Sequence, residues 1–220
     1  MPAGVPCDDE KYCTRDDICD GSGWCSGIGS EHLFGVLEVA TGGAHTCALL
    51  ETTGIVCWGY NNFGQLGNGS DVEKSPVPVD VTGLSSGVEA ISAGEWTACV
   101  IMTGGGVKCW GYDPDGPLED DMPNIQSVPV DISGIEGVAA AISCGDFHTC
   151  VLLDSGMISC WGHNDEGQLG VGTLVDSRRP VEVTELSRNA LAVSSGRYHT
   201  CALLDDGMVQ CWGKNDDGEL

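Results

Sequence analysis

The sequence predicts an all-β protein built from repeated antiparallel blades, an open part of a β-propeller. A unit of 51 or 52 residues recurs along most of the chain, and each unit holds four short strand-like stretches. Glycine is abundant, with 33 residues among 220. Many short strands joined by tight glycine-rich turns are typical of propellers and not of helical solenoids. The length allows one large or two modest domains.

One motif with two cysteines recurs four times in register. Its first cysteine is Cys47, Cys99, Cys150 or Cys201, so successive copies lie 52, 51 and 51 residues apart. Self-similarity at a fixed period is the signature of a repeat architecture. The copies read GGAHTCALLETTGIVCWGYNNFGQLG, GEWTACVIMTGGGVKCWGYDPDGPLE, GDFHTCVLLDSGMISCWGHNDEGQLG and GRYHTCALLDDGMVQCWGKNDDGEL.

The strands follow from short β-branched or alternating stretches bounded by turn residues. In the first unit they are predicted at residues 36–39, 45–50, 55–59 and 77–81. The Thr52-Thr53-Gly54 spacing predicts an antiparallel hairpin between the second and third strands. The prolines in Ser-Pro-Val-Pro at 75–78 predict an outer strand, because proline cannot donate to a central ladder. We expect units at 35–86, 87–137, 138–189 and 190–220 within a propeller region at 31–220; the fourth stops before its last strand, as in a fragment.

These motifs resemble the regulator of chromosome condensation repeat family. The resemblance rests on G-x-x-H-T-C-A-L-L, G-x-V-x-C-W-G and N-x-x-G-Q-L-G-x-G, covers residues 35–220, and is greatest for the cysteine-containing, bacterial-style variant. It implies a seven-bladed propeller, of which this chain would supply a little over half. Nuclear members of the family catalyse guanine-nucleotide exchange on a small GTPase and bind chromatin. One secreted propeller of the family binds enzymes as an inhibitor.

The cysteines of each repeat sit ten residues apart and fall opposite each other when the hairpin is folded about its turn. Directly paired antiparallel residues are within disulfide range, so four intra-hairpin disulfides are predicted; buried thiols are the alternative. A zinc site using His45 with Cys47 and Cys57 is disfavoured, because Thr97 replaces the histidine in the second unit while both cysteines remain. The predicted pairs are Cys47–Cys57, Cys99–Cys109, Cys150–Cys160 and Cys201–Cys211.

Cys144 falls outside the ten-residue spacing. It occupies the position held by Thr41, Ala93 and Ser195, just before the repeated glycine. We expect a small packed residue there; a reactive thiol or an intermolecular bridge is the alternative.

Residues 1–30 form a separate cysteine-rich module. Cys7, Cys13, Cys19 and Cys25 recur every six residues, in a pattern that resembles short disulfide repeats of secreted microbial proteins. Two bridges are expected, but the sequence does not choose among three pairings. Neighbouring acids are weak calcium candidates that lack the EF-hand order, and solvated carboxylates are the favoured interpretation. These acids are Asp8, Asp9, Asp16, Asp17 and Asp20.

Charge and cysteine content restrict the partners and the compartment. Nine basic residues against 33 acidic ones give a formal charge of −24, which disfavours nucleic acid and favours a basic protein partner. No apolar stretch is long enough to span a membrane, and the N-terminus lacks the apolar core of a signal peptide. Thirteen cysteines nevertheless indicate an oxidising compartment. A chain cut from a longer precursor reconciles the two observations.

Two further features concern the blade edges. The tryptophan after each second cysteine points to the opposite sheet face, so we expect Trp58, Trp110, Trp161 and Trp212 to pack between blades.

Acids in the turns after Trp-Gly are predicted to lie on one rim, where they form a candidate docking surface; solubility is the alternative. These acids are Asp113, Asp115, Asp165, Glu166, Asp216 and Asp217.

The sequence contains no nucleophile elbow, phosphate loop, dinucleotide fingerprint or zinc-protease helix. We therefore predict a non-enzymatic protein-interaction scaffold without a cofactor, extracellular or in the cell envelope, that self-associates through its uncovered blade flanks. The alternatives are a cytoplasmic protein, a guanine-nucleotide exchange factor implied by the resemblance, and a secreted enzyme inhibitor.

Overall fold

The computed structural model describes residues 18–19, 25–26, 33–112, 125–184 and 186–220. The chain divides into two compact units, Met1–Phe34 and Gly35–Leu220. In the first, strand β1 (Ile18–Cys19) pairs antiparallel with β2 (Cys25–Ser26). The side chains of the four N-terminal cysteines and of the five calcium-candidate aspartates lie outside the described residues.

The second unit consists of four antiparallel sheets whose strands follow chain order. The first sheet holds β3 (Val36–Thr41), β4 (His45–Leu50), β5 (Ile55–Tyr60) and β6 (Lys74–Asp80). The second holds β7 (Val88–Ala93), β8 (Thr97–Met102), β9 (Val107–Tyr112) and β10 (Ile125–Asp131). The third holds β11 (Ala139–Cys144), β12 (His148–Leu153), β13 (Ile158–Gly162) and β14 (Ser177–Glu182). The fourth holds β15 (Ala190–Ser195), β16 (His199–Leu204) and β17 (Val209–Gly213).

This arrangement confirms the predicted fold class: an open array of three four-stranded blades and one three-stranded blade. Strands account for all the regular structure in the described residues, which include no helix long and apolar enough to cross a membrane. The outer strand β6 begins at Lys74, three residues before the predicted start, because a bulge in its pairing with β5 accommodates Pro76 and Pro78.

The hairpin turn of the first blade places a threonine in the left-handed region. Thr53 has φ 61°, where the equivalent turn residues of the later blades are Gly105, Gly156 and Gly207. A β-branched residue is strained in this conformation. Two hydrogen bonds offset the cost: the Thr53 hydroxyl donates to the Thr52 carbonyl at 2.6 Å and accepts from the Gly87 N–H at 2.8 Å. The turn of the first blade is thereby tied to the start of the second.

Each hairpin brings its two repeated cysteines directly opposite each other. Cys47 is the register partner of Cys57, and the other three pairs repeat this register. All four pairs form disulfides, with Cα–Cα distances of 4.0 to 4.1 Å. Because these sulfurs are bonded to each other, they are not available as the thiolate ligands of the zinc site considered above.

Cys144 is buried at the contact between the second and third blades. Its N–H donates to the Ser92 hydroxyl at 3.0 Å, and its Sγ lies 3.7 Å from the Ser92 carbonyl oxygen. Ser195 makes the same bonds one blade later, to Ser143 at 2.8 and 3.2 Å. Cys144 therefore takes a serine's place in a repeated contact between inner strands.

Equivalent apolar residues are buried between blades but exposed on the two end blades. Val39 is 56% exposed, whereas Ile91, at the same position of the second blade, is 4% exposed. On the last blade Leu203 is 39% and Val209 is 66% exposed, against 5% for Leu152 in the third blade. We call the Val39 face the first flank and the face with Leu203 and Val209 the last flank. Both present surface that a neighbouring blade covers elsewhere.

We expect the 220-residue chain to self-associate at tens of micromolar through these flanks, or to keep its last blade loosely packed, because contiguous apolar patches and open strand edges drive association. Light scattering after size exclusion should give a mass that rises with concentration above the monomer's 22.9 kDa. Val39→Asp combined with Leu203→Asp should shift the population toward the monomer. Val72→Asp is the matched control, because Val72 is 62% exposed in the loop between β5 and β6 and belongs to neither flank as defined above. A monomer at every concentration would contradict the prediction.

Candidate partner-binding rim

The repeated tryptophans join successive blades. Trp110 is 2% exposed, and its indole N–H donates to the carbonyl of Gln65, in the preceding blade, at 2.9 Å. Trp212 makes the same bond to Gln168 at 2.9 Å. Trp161 is buried as well, whereas Trp58 on the first flank is half-buried. These side chains are structural anchors between blades and contribute little surface for a ligand.

Buried asparagines organise the turns after Trp-Gly. The Asn61 amide donates to the carbonyls of Ser70 and Val72, both at 3.0 Å, and its oxygen accepts from Leu66 N–H at 3.0 Å. Asn164 makes the equivalent three bonds in the third blade at 2.8 to 3.0 Å. An amide can donate two hydrogen bonds and accept another, as this position requires. The turns therefore hold a fixed shape at the rim of the array.

Seven half-buried rings form a continuous series along this rim, and we call them the aromatic arc. The residue before the repeated histidine position supplies one set, and the segment after Trp-Gly supplies the other. Consecutive ring centroids lie 5.2 to 6.3 Å apart from the first blade to the last. The members are Tyr60, Phe63, Trp96, Tyr112, Phe147, His163 and Tyr198.

Positive charges lie on the last ring of the arc. The Arg197 guanidinium carbon is 5.2 Å from the Tyr198 ring centroid, and the Lys214 ammonium is 5.9 Å from it. Both distances are within cation–π range. Arg197 also pairs with Asp146 at 2.9 Å. A cation between an aromatic ring and a carboxylate is thus already present within the chain.

Two of the predicted rim acids, Asp165 and Asp216, contact basic side chains of their own blades. Lys214 pairs with Asp216 at 3.2 Å, and this hydrogen bond raises the pKa of Lys214. His163 Nε2 lies 3.4 Å from Asp165. Glu166 and Asp217 are exposed on the same rim. Asp113 and Asp115 lie outside the described residues.

His163, Asp165 and Asp176 are the one metal-like cluster among the described residues, with ligand atoms within 4.8 Å of one another. The two imidazole nitrogens face different carboxylates, Nε2 toward Asp165 and Nδ1 toward Asp176 at 3.5 Å. These contacts also occur between exposed acids and a histidine that bind no ion. In the next blade Lys214 and Asp216 occupy the positions of His163 and Asp165, which indicates a repeated contact between a basic side chain and a turn carboxylate.

A shallow cavity of about 330 Å³ lies beside the arc, where the inner strands of all four blades meet their glycine turns. Its charged residues are Glu95, Asp146 and Arg197. No described residue pairs with the Glu95 carboxylate, which adjoins Trp96 in the chain. The rim therefore places half-buried aromatic rings beside carboxylates. The described residues form no constellation of nucleophile, base and oxyanion donors.

The sequence analysis predicts the turn acids and not the aromatic arc. The signal was present at two repeat positions. One is the residue before the repeated His or Thr, which reads Ala44, Trp96, Phe147 and Tyr198. The other is the residue after Trp-Gly, which reads Tyr60, Tyr112, His163 and Lys214.

Comparison with known proteins identifies the repeat. The family model described as "Regulator of chromosome condensation (RCC1) repeat" matches residues 36–65, 88–116, 139–168 and 191–219. A second model with the same description matches residues 55–101 and 155–203. The matched segments cover the first three strands of each blade and a few residues beyond them.

Similar proteins differ in their described roles. The ultraviolet-B receptor UVR8 of Arabidopsis thaliana is 31% identical over 189 residues, which cover 84% of this chain and 43% of the receptor. The human E3 ubiquitin-protein ligase HERC2 is 30% identical over 190 residues, which cover 84% of this chain and 4% of the ligase. The chain thus spans less than half the length of these relatives.

Solved structures with the same fold include Prp20p from Saccharomyces cerevisiae, at 26% identity and TM-score 0.70, with coverage of 82% of this chain and 44% of that one. Human WBSCR16 has 26% identity and TM-score 0.68, with coverage of 81% and 45%. Four family matches in register, one on each blade, agree with the blade order of the structure. The chain therefore belongs to the regulator of chromosome condensation repeat family.

Proposed function

We propose that this protein is a non-enzymatic interaction scaffold whose rim binds a basic segment of a protein partner. The observation that carries the proposal is the aromatic arc, which crosses all four blades beside carboxylates. Aromatic residues are enriched where protein interfaces have their binding energy. The formal charge of −24 adds long-range attraction for a basic partner.

The contacts around Tyr198 indicate which chemistry the arc accepts. There the chain's own arginine and lysine lie over the ring, and Asp146 pairs with the arginine. At Trp96, the equivalent ring of the second blade, the repeat position of Arg197 holds Glu95, so a carboxylate stands there and the chain supplies no cation. A partner's arginine or lysine would take that place. Prp20p, whose structure is similar, is described as binding histones. Histones are basic proteins, so this description supports a basic partner for the rim.

Binding of short charged peptides tests the proposal. A fluorescein-labelled peptide of alternating arginine and glycine should bind saturably, whereas its glutamate counterpart should not. Trp96→Leu and Glu95→Gln should each weaken binding by about tenfold, the effect of losing about 1.4 kcal/mol of contact energy. Glu136→Gln is the control, because it removes the same charge at the opposite, hairpin-turn end of the blades. If all three variants bind alike, the interaction is a general charge effect and the proposal is wrong.

The alternative from the family is guanine-nucleotide exchange. We expect no such activity, because the formal charge of −24 opposes contact with DNA and the disulfides fit poorly with a nuclear compartment. Nucleotide release from a Ran-type GTPase should remain at its uncatalysed rate in the presence of this protein. Acceleration well above that rate would replace the scaffold proposal with the exchange-factor alternative.

We also propose an extracellular or envelope location, supported by four disulfides in one small protein. In protein purified from its native compartment, thiol labelling under denaturing, non-reducing conditions should detect few free cysteines. The same sample after reduction is the control for complete labelling. Eight or more labelled thiols before reduction would contradict the location and favour the cytoplasmic alternative.

A further inference from the structure

The repeat position of Arg197 holds a different residue in each blade. In chain order it reads Gly43, Glu95, Asp146 and Arg197. Arg197 of the fourth blade extends back to the third blade, where its Nε lies 2.9 Å from Asp146 Oδ2. Its guanidinium also lies over the ring of Tyr198. At this boundary between two blades the chain itself brings together an arginine, a carboxylate and an aromatic ring.

The boundary between the first and second blades has a carboxylate but no cation. A Cβ at Gly43 would lie 2.5 Å from Glu95 Cδ and 2.6 Å from both carboxylate oxygens. The Glu95 side chain therefore extends back to the first blade, as Arg197 extends back to the third. Where the later boundary has Asp146 as the ionic partner, this boundary has a glycine. The half-buried Glu95 has no ionic partner among the residues that the structure describes.

Three aromatic rings contact one another at the same boundary. Phe63 follows β5 of the first blade, Trp96 immediately precedes β8, and Tyr112 ends β9. The Phe63 centroid lies 5.2 Å from each of the other two, which are 5.7 Å apart. Tryptophan is the best aromatic partner for a cation. This part of the rim therefore combines a cluster that contains tryptophan with the carboxylate of the neighbouring residue.

We infer that this part of the rim, which we call the arginine subsite, selects an arginine of the partner over a lysine. The inference rests on the proposed function and specifies its ligand. A guanidinium is planar, so it can stack on a ring while two of its N–H groups donate to one carboxylate. A lysine ammonium has no such plane and is more strongly hydrated, so it loses more on leaving water for half-buried rings. The residues of the subsite are Gly43, Phe63, Glu95, Trp96 and Tyr112.

Two peptides of equal length and charge test this preference. One alternates arginine with glycine and the other alternates lysine with glycine; each carries fluorescein and is titrated into the 220-residue chain below the concentration at which it self-associates. We expect the arginine peptide to bind about fivefold more tightly, which is within the strength of one cation–π contact. Glu95→Gln should reduce this preference, because it removes the charged acceptor of the guanidinium N–H groups. Equal affinities would overturn the inference and leave the rim proposal standing, whereas binding of neither peptide would overturn both.

A variant that supplies its own cation locates the preference. Gly43→Arg places a guanidinium beside the Glu95 carboxylate, so the two peptides should then bind about equally. The backbone at Gly43 is not left-handed, and the nearest atoms to its Cβ are the flexible end of Glu95, so folding should tolerate the change. Gly106→Arg is the matched control, because it adds the same charge at the hairpin turn of the second blade, where a Cβ has no neighbour within 4 Å.

Circular dichroism checks that both variants fold, and Glu95→Gln replaces Gly43→Arg in the test if the latter does not. The control should keep the arginine preference of the unmodified protein. A folded Gly43→Arg variant with the full preference, or loss of the preference in Gly106→Arg, would show that the arginine is not selected at this boundary.

Discussion

Trp110→Ala is expected to destabilise the protein by about 3 to 5 kcal/mol, the usual cost of truncating a fully buried tryptophan. Its indole is 2% exposed between the first two blades, where it packs with Leu66, Val81 and Val100 in one apolar cluster. Truncation leaves a cavity at that contact and removes the hydrogen bond to the Gln65 carbonyl. Because repeat arrays are stabilised by contacts between neighbours, the loss should weaken the coupling of the first two blades. Urea unfolding, followed by circular dichroism, measures the change in the free energy of unfolding.

Two further variants separate the contributions to this effect. Trp110→Phe keeps most of the packing and removes the N–H donor, so it should cost about 1 to 2 kcal/mol. Trp58→Ala changes the same repeat position on the first flank, where the indole is half-buried without a preceding blade, and it should cost about 1 kcal/mol. Equal destabilisation by Trp58→Ala and Trp110→Ala would show that the tryptophan acts within its own sheet and not between blades.

The blade itself could be predicted from the sequence because its determinants are local. A hairpin brings residues ten apart into register, so the spacing of Cys47 and Cys57 was enough to place them opposite each other. The prolines at 76 and 78 placed β6 on the edge for an equally local reason. The left-handed Thr53 could not be foreseen, because it is tolerated only through a bond to Gly87 in the next blade.

The aromatic arc could not be predicted by the same argument. Its neighbouring rings come from different blades, as with Trp96 and Phe147, 51 residues apart in the chain and 5.5 Å apart in space. Such contacts depend on the offset between adjacent sheets, which strand periodicity does not define. Comparing repeat positions across blades would have indicated the aromatic column, although not that its rings contact one another.

The buried histidines show how one repeat position differs among blades. His148 is buried, and its Nε2 lies 2.8 Å from the Thr200 hydroxyl of the next blade. Because that hydroxyl donates to the Gln168 carbonyl at 2.9 Å, it accepts from His148, which fixes the neutral tautomer with its proton on Nε2. For His45, the residue of the next blade that corresponds to Thr200 is Ala98, which has no hydroxyl. No described residue forms a hydrogen bond with either ring nitrogen of His45. Both rings lie against the repeated glycine, where a Cβ at Gly145 would be 2.5 Å from His148 Cε1.

Burial lowers the pKa of both histidines from 6.5 to about 4, and the nearby His199 and His163 add to the shift at His148. A histidine with a lowered pKa in the folded state stays neutral while the unfolded chain takes up the proton. The two neutral histidines therefore make their full contribution to the free energy of unfolding above about pH 7. This contribution is lost as the pH falls from 6.5 toward 4. At pH 5 the loss should be about 2 kcal/mol for each histidine.

The double variant His45→Thr with His148→Thr isolates this contribution, because the second blade already has Thr97 at the same position. The free energy of unfolding of the unmodified protein should fall between pH 7.5 and pH 5 by about 4 kcal/mol more than that of the variant. Many carboxylates also titrate toward the lower end of this range, but they are common to both proteins and cancel in the difference. Urea unfolding at intervals of pH measures both curves. If the two curves run parallel from pH 7.5 to pH 5, the buried histidines do not set the acid sensitivity of the fold.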